Sequence, residues 1–478
     1  MPRINNNSRG ATLAAKLQRG RQQAERAARP GARTLPVIRG VTTRCEFFIP
    51  QENVLAQIGE IFVAGQRLFR YGNSIYLEVC EGTEKRLVQV HMEGDVATKA
   101  SSMLANLVVC EIPPSSEDGA PLQFPAPQKL IALALNCEPI IATLPRVKQY
   151  ATRPVFNDDF VLCGPGWHVD SGILVHGPDV AAAPFVPCPA EETALARLPV
   201  HLRQLLSDFA FRSDADVANA AALFLTGLLV GRFVASGKPI ALLDGNQPRV
   251  GKTRFVEVVG IVLDGEEPTI VPFKSDDDEL AKAICAKLNT RTQSIVLIDN
   301  AKIASGGTIN SPTIEAFSTA PMFSMRILGQ SKNFERPNDL IWCVTMNNTR
   351  GSADLVARSM PVRFHFEGDP SHRDYGGRDP KEYARRHRVD LLGELVGMID
   401  HWNRLGRPPG VARHSLTKWA EIIGGIMVSI GFPEFLTNSD EAAAEFNDSL
   451  GELAALAEAA IAMRSTAVIV VTETASGA

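Results

Sequence analysis

Residues 240–255 read IALLDGNQPRVGKTRF, and this stretch decides the fold class of the chain. The apolar run Ile240–Leu243 has the length of a buried strand, and the turn-rich loop after it closes with Gly251-Lys252-Thr253. A helix-compatible stretch then covers residues 254–263. Between a strand and a helix, such a loop is typical of a phosphate-binding P-loop. The segment therefore predicts an α/β fold with a parallel sheet and helices on both faces.

The loop is predicted to bind the phosphates of ATP through backbone N–H groups that face a helix N-terminus. Its predicted cofactor-binding residues are Asn246, Gln247, Pro248, Arg249, Val250, Gly251, Lys252 and Thr253. We expect Lys252 to contact the β- and γ-phosphates and the Thr253 hydroxyl to bind Mg²⁺. The usual spacing GxxxxGK[ST] places a glycine where this chain has Asn246, and Gly245 lies one residue too early. A chance Gly-Lys-Thr in a surface turn is the competing interpretation.

Composition places the chain among ordinary globular proteins. With 478 residues, 45% apolar and 21% charged, it is long enough for roughly two or three domains. The net charge of −4 gives no overall attraction for polyanions. No apolar run has the length of a membrane span, and the N-terminus lacks a secretory signal pattern. The eight cysteines contain no CxxC pair, which argues against a zinc site and favours a cytoplasmic location.

Shifts in composition divide the chain into predicted segments. They are a basic flexible tail at 1–36, a small α/β domain at 37–120, a mixed linker and helical collar at 121–236, the P-loop ATPase domain at 237–405 and a helical region at 406–478. The tail holds seven Arg and one Lys against one Glu. Such an arm either contacts phosphates without sequence preference or stays a solvated leader.

Periodicity predicts the elements within these segments. Before the P-loop we expect a strand at 45–49, a helix at 53–64, a hairpin of strands 68–71 and 74–79, a linker at 111–121, short strands near Phe160 and Ile173, and helices at 198–211 and 215–236. In the ATPase domain we expect strands at 240–244, 269–273, 294–299, 340–345 and 360–366, with helices at 252–263, 276–288 and 311–319.

The run Ser294–Asn300 matches a Walker B pattern, in which a buried strand presents a carboxylate. We expect Asp299 to bind Mg²⁺ through water, beside Thr253. The next residue is Asn300, where many ATPases of the AAA+ type carry the Glu that orients the attacking water. An amide can hydrogen-bond a water but cannot take its proton as a carboxylate does. Either another carboxylate is the base, with Glu315 as a candidate, or hydrolysis is slow.

Further candidate residues follow the next apolar strand. Asn347, after Leu340–Thr345, has the position of a sensor that contacts the γ-phosphate and the lytic water, with a polar turn as the alternative. Arg358 is our first choice, and Arg363 our second, for an arginine that reaches a neighbouring subunit's nucleotide. For each of them a surface salt bridge is the alternative.

The segment Phe323–Pro337 predicts two short strands around a turn. In a ring, such a hairpin would project into the central channel. Lys332 at its tip, with Arg326 before it, would contact a nucleic-acid backbone. The alternative is an exposed turn with an incidental lysine.

The order of these motifs continues beyond the hairpin. The relevant stretches are Asp299-Asn300, Arg326–Gly329, Thr345–Asn348, Asp354–Arg363, Glu367–Arg373, Arg404–Pro408, Ser415–Trp419, Ile423–Gly425 and Gly431–Phe435. From about residue 140 to 440 the chain resembles the AAA+ helicase-type ATPases of phages, plasmids and integrated elements, which are often fused to or beside a primase. The resemblance implies an ATP-driven ring of subunits, and Asn300 is compatible with that family.

The chain also departs from the family pattern. The early P-loop glycine is missing, and Ala357 stands where a second arginine is often found. The C-terminus is short for a winged-helix module, and no primase-like acidic motif precedes the P-loop. Primase activity would therefore belong to another chain.

These observations predict a ring-forming DNA helicase or translocase of a mobile-element replication module. We expect it to be a hexamer that hydrolyses ATP with Mg²⁺ and moves single-stranded DNA. Two alternatives remain open at this point. One is an ATP-dependent switch or defence-type NTPase without unwinding, and the other is a weakly hydrolysing nucleotide-binding scaffold.

Overall fold

The computed structural model describes residues 35–65, 67–81, 84–90, 109–114, 119–188, 192–289, 292–302, 308–327, 333–346, 350–370 and 378–446. The predicted basic tail up to residue 34 and the end of the chain from residue 447 lie outside these ranges. The chain divides into two compact units. One takes residues from the ranges 1–69, 75–77 and 88–145, and the other from 70–74, 78–87 and 146–478.

The first unit contains a three-stranded sheet and helices. Its strands are β1 (Val37–Arg39), β5 (Val109–Ile112) and β6 (Leu122–Pro125), and its helices are α1 (Gln51–Gly65), α2 (Gln128–Leu135) and α3 (Glu138–Thr143). β5 is central, parallel to β1 and antiparallel to β6. The predicted helix at 53–64 is confirmed as α1. The predicted linker is wrong at its start, because Glu111 and Ile112 pair with β6.

The predicted strand at 45–49 is also wrong. Only Phe47 forms a bridge there, to Val41, and Cys45 has a left-handed φ of 62°. The Thr42 hydroxyl accepts from the backbone N–H groups of Arg44 and Glu46, and this stabilises a turn. A local side-chain bond to the backbone thus competes with the extended conformation that the apolar pattern favours.

Short elements precede the P-loop. Strands β2 (Leu68–Tyr71), β3 (Ser74–Glu81) and β4 (Glu84–Gln89) agree with the predicted hairpin strands at 68–71 and 74–79, and the boundary between the two units passes through them. In the second unit the next elements are β7 (Arg146–Val147), β8 (Gln149–Ala151), β9 (Val155–Phe156), β10 (Leu162–Cys163), β11 (Gly166–His168), β12 (Ile173–Val175), α4 (Ala194–Arg197), α5 (Val200–Leu206), α6 (Asp214–Leu228) and a 3₁₀ turn at Val230–Phe233.

A five-stranded parallel sheet organises the second unit. Its strands are β13 (Ile240–Gly245), β14 (Thr269–Pro272), β15 (Ile295–Ala301), β19 (Ile341–Met346) and β21 (Ser359–Phe364). They lie in the order β14-β15-β19-β13-β21, and every pair is parallel. All five predicted strands are confirmed to within two residues at each end. The connection that leaves β13 runs to β14 on one side of it, whereas the connection that leaves the neighbouring strand β19 passes β13 and runs to β21 on the other side. Two adjacent strands whose connections leave in opposite directions form a switch point, which favours a ligand site at the carboxyl ends of the strands.

The remaining described elements complete the second unit. They are α7 (Lys252–Asp264), α8 (Asp277–Leu288), β16 (Thr308–Ile309), α9 (Pro312–Ala316), β17 (Met322–Arg326), β18 (Asn333–Pro337), β20 (Arg350–Gly351), α10 (Ala353–Ala357), α11 (Pro380–Arg386), α12 (Arg388–Arg404), α13 (Thr417–Ser429) and α14 (Ser439–Phe446). β17 and β18 pair as the predicted antiparallel hairpin. Within the described ranges, no helix is long and apolar enough to cross a membrane.

The sheet buries both faces, as its apolar strands predict. Ala241 and Leu243 face a core that includes side chains of α6, α7, α12 and α13. Ile240 and Leu242 face the opposite core, which includes side chains of α8 and α9 and of the β17–β18 hairpin. Successive strand residues point to opposite faces, so one strand contributes to both cores. Helices therefore cover both faces, as predicted.

A buried network joins the end of α7 to the start of β15. The Asp264 carboxylate accepts from the backbone N–H groups of Ser294 and Ile295, at 2.8 and 3.0 Å. It also forms an ion pair of 2.8 Å with Arg153, which is itself buried. Since α7 begins at the P-loop and β15 carries Asp299 near its end, these bonds fix the P-loop helix relative to the strand that carries the carboxylate.

Candidate functional site

The P-loop connects β13 to α7 with unusual backbone geometry. Arg249 has φ of 67° and Gly251 has φ of 102°, so two of its residues are left-handed. Gly251 caps α7, and its carbonyl accepts from Phe255 N–H at 2.8 Å. Left-handed geometry at the cap is readily adopted by glycine, which has no Cβ. The loop therefore leads directly into the first turn of α7. The backbone N–H groups of a first turn have no acceptor within the helix.

Gly245 has a packing role that explains its displaced position. A Cβ on this residue would lie 2.5 Å from Val250 Cγ2 and 3.3 Å from Lys252 Nζ. The backbone at the start of the loop is therefore approached closely by the residues that end it. This close approach favours glycine at position 245, one residue before the position that the usual motif gives to glycine.

Asn246 replaces the expected glycine and anchors the loop. Its amide donates to Phe366 O at 3.0 Å, and its side-chain oxygen accepts from Phe366 N–H at 3.1 Å. The Gln247 amide donates to the carbonyls of Phe366 and Gly368, at 2.8 and 2.9 Å. These bonds hold the loop to the segment after β21. The residue that replaces the motif glycine and the one after it are thus structural anchors in this chain.

Lys252 lies beneath the loop. Its side chain is buried, and Nζ is 3.5 Å from Gln247 O. Burial lowers the pKa of Lys252, while the charges of Asp244 and Asp299 oppose that shift. A buried ammonium enclosed by loop backbone is suited to contact phosphate oxygens, because they compensate its desolvation. Arg249 is exposed, and Pro248 is exposed beside it.

Thr253 and Asp299 meet at the carboxyl edge of the sheet. Thr253 Oγ1 donates to Asp299 Oδ1 at 2.9 Å, although the two residues belong to different elements. A hydroxyl and a carboxylate are hard oxygen ligands of the kind that Mg²⁺ prefers. Their separation fits two adjacent positions around one small ion, so these residues would hold the predicted magnesium.

Thr345, near the end of β19, was missed by the sequence argument. Its buried hydroxyl donates to Asp299 Oδ1 at 2.7 Å and accepts from Asn300 N–H at 2.8 Å. Asp299 therefore receives hydrogen bonds from hydroxyls on both sides. The available signal was a polar residue at the end of an otherwise apolar strand, immediately before the predicted sensor motif.

Asn300 adopts a left-handed conformation with φ of 57°, and its side chain is exposed. Asparagine tolerates this conformation better than most residues. A cavity of about 440 Å³ adjoins it and Asp299. The cavity is also lined by Ile270, Pro272, Phe273, Lys274, Ser275 and Lys302. The residue after Asp299 therefore lines a cavity that has room for a water.

The two candidate arginines have different surroundings. The side chain of Arg358 is 30% exposed and pairs with Asp354 at 2.9 Å on the same helical turn. Arg363 is 3% exposed, and its guanidinium pairs with Glu441 at 2.9 Å and with Glu445 at 3.2 Å. This engagement within its own chain argues against our second choice, because a buried and paired arginine is not available to a neighbouring subunit. Arg358 remains the candidate.

Other predicted site residues lie apart from this cluster or outside the described residues. Glu315 accepts a hydrogen bond from the Ser352 hydroxyl, which gives it a structural partner on another element. Arg326, at the end of β17, is exposed. Asn347 and Lys332 lie outside the described residues, so their roles stay predictions.

Comparisons with known proteins give weak likenesses. No family model matches the chain, and a search of curated proteins finds no match. Among solved structures, the apo NrS-1 C-terminal region is similar at 8% identity and TM-score 0.37, covering 80% of this chain and 73% of that one. "SCCmec type IV Cch - active helicase" is similar at 11% identity and TM-score 0.32, covering 84% and 73%. The X-ray structure of the JCV helicase is similar at 14% identity and TM-score 0.24, and the match covers 48% of this chain and 67% of that one. At such scores these likenesses do not support a functional argument.

Proposed function

We propose that this chain is a P-loop ATPase of the AAA+ type that assembles as a ring, with a hexamer as the expected form. The observation that carries the proposal is the 2.9 Å contact between Thr253 Oγ1 and Asp299 Oδ1. It brings a P-loop threonine to the carboxylate of the β15 strand, beside the buried Lys252. A chance tripeptide in a surface turn has no reason to lie against a buried strand end.

The chain's own residues define how ATP would be bound. The backbone of residues 246–253 would surround the phosphates, and Lys252 would neutralise charge on the transferred group. Thr253 and Asp299 would hold Mg²⁺, which supplies charge neutralisation at the phosphates when bound. Thr345 would keep the Asp299 carboxylate oriented through its 2.7 Å bond. Asn300 would position a water at the cavity beside the carboxylate.

The strand order supports the AAA+ assignment. β19 lies between the P-loop strand β13 and the carboxylate strand β15, so a residue just after β19 would lie between phosphate and metal. Asn347 occupies that position in the sequence. We infer that Arg358, which is partly exposed, contributes to the nucleotide of the neighbouring subunit. The site is then complete only at a subunit interface.

The substrate is proposed to be single-stranded DNA of a mobile-element replication module, with primase activity supplied by a separate chain. The antiparallel hairpin β17–β18 is the candidate contact. Arg326 is exposed at one side of its turn, and Lys332 lies in the turn sequence. Cations placed this way contact a phosphate backbone without reading its sequence.

The test is ATP turnover by the full chain with and without single-stranded DNA. Lys252→Ala should abolish turnover, while Lys282→Ala, which removes an exposed lysine paired with Glu279, serves as the matched control. DNA-stimulated turnover that the control retains supports a motor. Turnover that ignores DNA supports the ATP-dependent switch or defence-type NTPase instead. Bound ATP that stays intact supports the weakly hydrolysing scaffold.

A further inference from the structure

A second cluster of metal-ligating side chains lies outside the nucleotide site, where α5 meets the start of α12. Ligand atoms of His201, His387 and Asp390 all lie within 4.8 Å of one another. Asp390 Oδ2 is 3.2 Å from His387 Nδ1 and 3.9 Å from His201 Nε2. One carboxylate oxygen thus faces a ring nitrogen of each histidine, and the two rings stack at 4.8 Å with planes 27° apart.

The tautomer of His201 is set by its neighbours. The Tyr383 hydroxyl donates to Gln204 Oε1 at 3.0 Å, so its proton is already committed. His201 Nδ1 lies 3.1 Å from the same hydroxyl oxygen and must therefore be the donor in that contact. The lone pair of the neutral ring is then on Nε2, the nitrogen that faces Asp390. Proteins orient a metal-ligating histidine by a hydrogen bond of this kind from its other ring nitrogen.

The backbone that carries His201 is also fixed. The Glu394 carboxylate, on α12, accepts from the N–H groups of His201 and Leu202, each at 2.8 Å. This clamp ties the first turn of α5 to the helix that carries Asp390. The side chains of His201 and His387 are 30% and 28% exposed. An ion can therefore reach the cluster, and water can complete its coordination.

We propose that His201, His387 and Asp390 bind one divalent transition-metal ion, and that this ion is zinc. Two imidazoles with one carboxylate form a ligand set that suits zinc, and a tetrahedral site with three protein ligands leaves one position for water. Ligand atoms in such a site lie about 3.3 Å apart, given bonds of about 2.0 Å. Asp390 Oδ2 is already 3.2 Å from His387 Nδ1 and 3.9 Å from His201 Nε2, and all three ligand atoms lie within 4.8 Å of one another. Binding the ion therefore requires His201 to move towards the other two ligands.

This proposal is independent of the proposed ATPase function, and it modifies a sequence-based expectation. The scattered cysteines argued against zinc. The present cluster uses no cysteine, and it joins residues that are distant in sequence. In the sequence, only His387 and Asp390 are close enough to share one helical turn.

The experiment titrates Zn²⁺ into the metal-free full chain, without any added histidine tag, by calorimetry. We expect one ion per chain. His201→Ala and His387→Ala should each weaken binding by more than about 100-fold, and Tyr383→Phe, which removes only the orienting hydroxyl, by about 10- to 100-fold. His401→Ala is the matched control, because His401 is also on α12 but packs against Phe185.

Co²⁺ absorption reports which kinds of ligand bind the ion. Together with a variant that is expected to fold normally, it separates loss of a ligand from misfolding. Co²⁺ bound by the parent should give visible absorption without a thiolate-to-cobalt charge-transfer band. Asp390→Asn changes a half-exposed carboxylate, is expected to fold normally, and should weaken the same absorption. Absence of binding, a thiolate band, or Zn²⁺ affinity unchanged in both histidine variants would overturn the proposal.

Discussion

The hydroxyl of Thr345 is the most specific feature of the site that the sequence did not indicate, and its removal makes a sharp prediction. Thr345→Val keeps the size of the side chain and deletes the oxygen. Two hydrogen bonds are lost, the 2.7 Å bond to Asp299 Oδ1 and the 2.8 Å bond from Asn300 N–H. The carboxylate would then be oriented by Thr253 but no longer by β19.

The magnitude follows from the kind of bond removed. A hydrogen bond to a charged group contributes about 1.5–3 kcal/mol. If that energy is used to hold Asp299 in its productive orientation, kcat for ATP falls by about 10- to 150-fold. The free energy of unfolding falls as well, by about 1–3 kcal/mol, because a backbone N–H loses its partner.

The assay is steady-state ATP hydrolysis as a function of Mg²⁺, with urea denaturation in parallel. Thr345→Ser is the matched control, since it keeps the hydroxyl and loses only a buried methyl group. It should hydrolyse ATP nearly as fast as the parent, at a stability cost of about 1 kcal/mol. The reasoning is refuted if the valine variant keeps the parent's kcat, or if the serine variant is as slow as the valine variant.

Three further predictions concern the loop, a buried lysine and the proposed subunit interface. Gly245→Ala leaves no room for its Cβ and should lower stability by about 1–3 kcal/mol while weakening ATP binding; unchanged values in thermal unfolding and nucleotide titration would contradict this. Burial lowers the pKa of Lys238 to about 7 from 10.5, so between these values the unfolded chain binds more protons, and the free energy of unfolding should rise with pH relative to Lys238→Met. Urea denaturation of both proteins between these two pH values measures the free energy of unfolding, and the same pH dependence in both proteins would contradict the prediction. Arg358→Ala should reduce kcat by about 1,000-fold or more, and mixing it with Lys252→Ala should restore part of the activity; no recovery in mixed rings would exclude a shared site.

The strands of the central sheet could be predicted from sequence because their apolar residues are continuous and are bounded by turns. Ile240–Leu243 and Ile295–Ile298 are buried on both faces, so local pattern and tertiary structure agree. The stretch 45–49 has a similar pattern but forms a turn, since bonds to the Thr42 hydroxyl are available locally. Phe48 is then left 51% exposed.

The candidate site was predictable where a residue's neighbours are set by the topology of a parallel sheet. Thr253 comes after β13 and Asp299 lies near the end of β15, at the same edge of the sheet, so the motif order predicted their contact. Arg363 was different, because its partners Glu441 and Glu445 lie on α14, far along the chain. No local pattern indicates such a pairing.

The histidine cluster shows the same limit. His201 and His387 stack on each other only because α5 packs against the start of α12. Their contact depends on helix packing, which leaves no motif in the sequence. The tautomer of His201 depends in turn on Tyr383 and Gln204, which come from two different helices.

The central claim is that a triphosphate and its magnesium are bound between the 251–253 tripeptide and the carboxylate of Asp299. The most direct measurement is calorimetric binding of a non-hydrolysable ATP analogue to the full chain, with Mg²⁺ and with a chelator. We predict binding that weakens strongly without Mg²⁺ and is lost in Lys252→Ala. Failure of the parent chain to bind, or equal affinity in Lys252→Ala, would contradict the account.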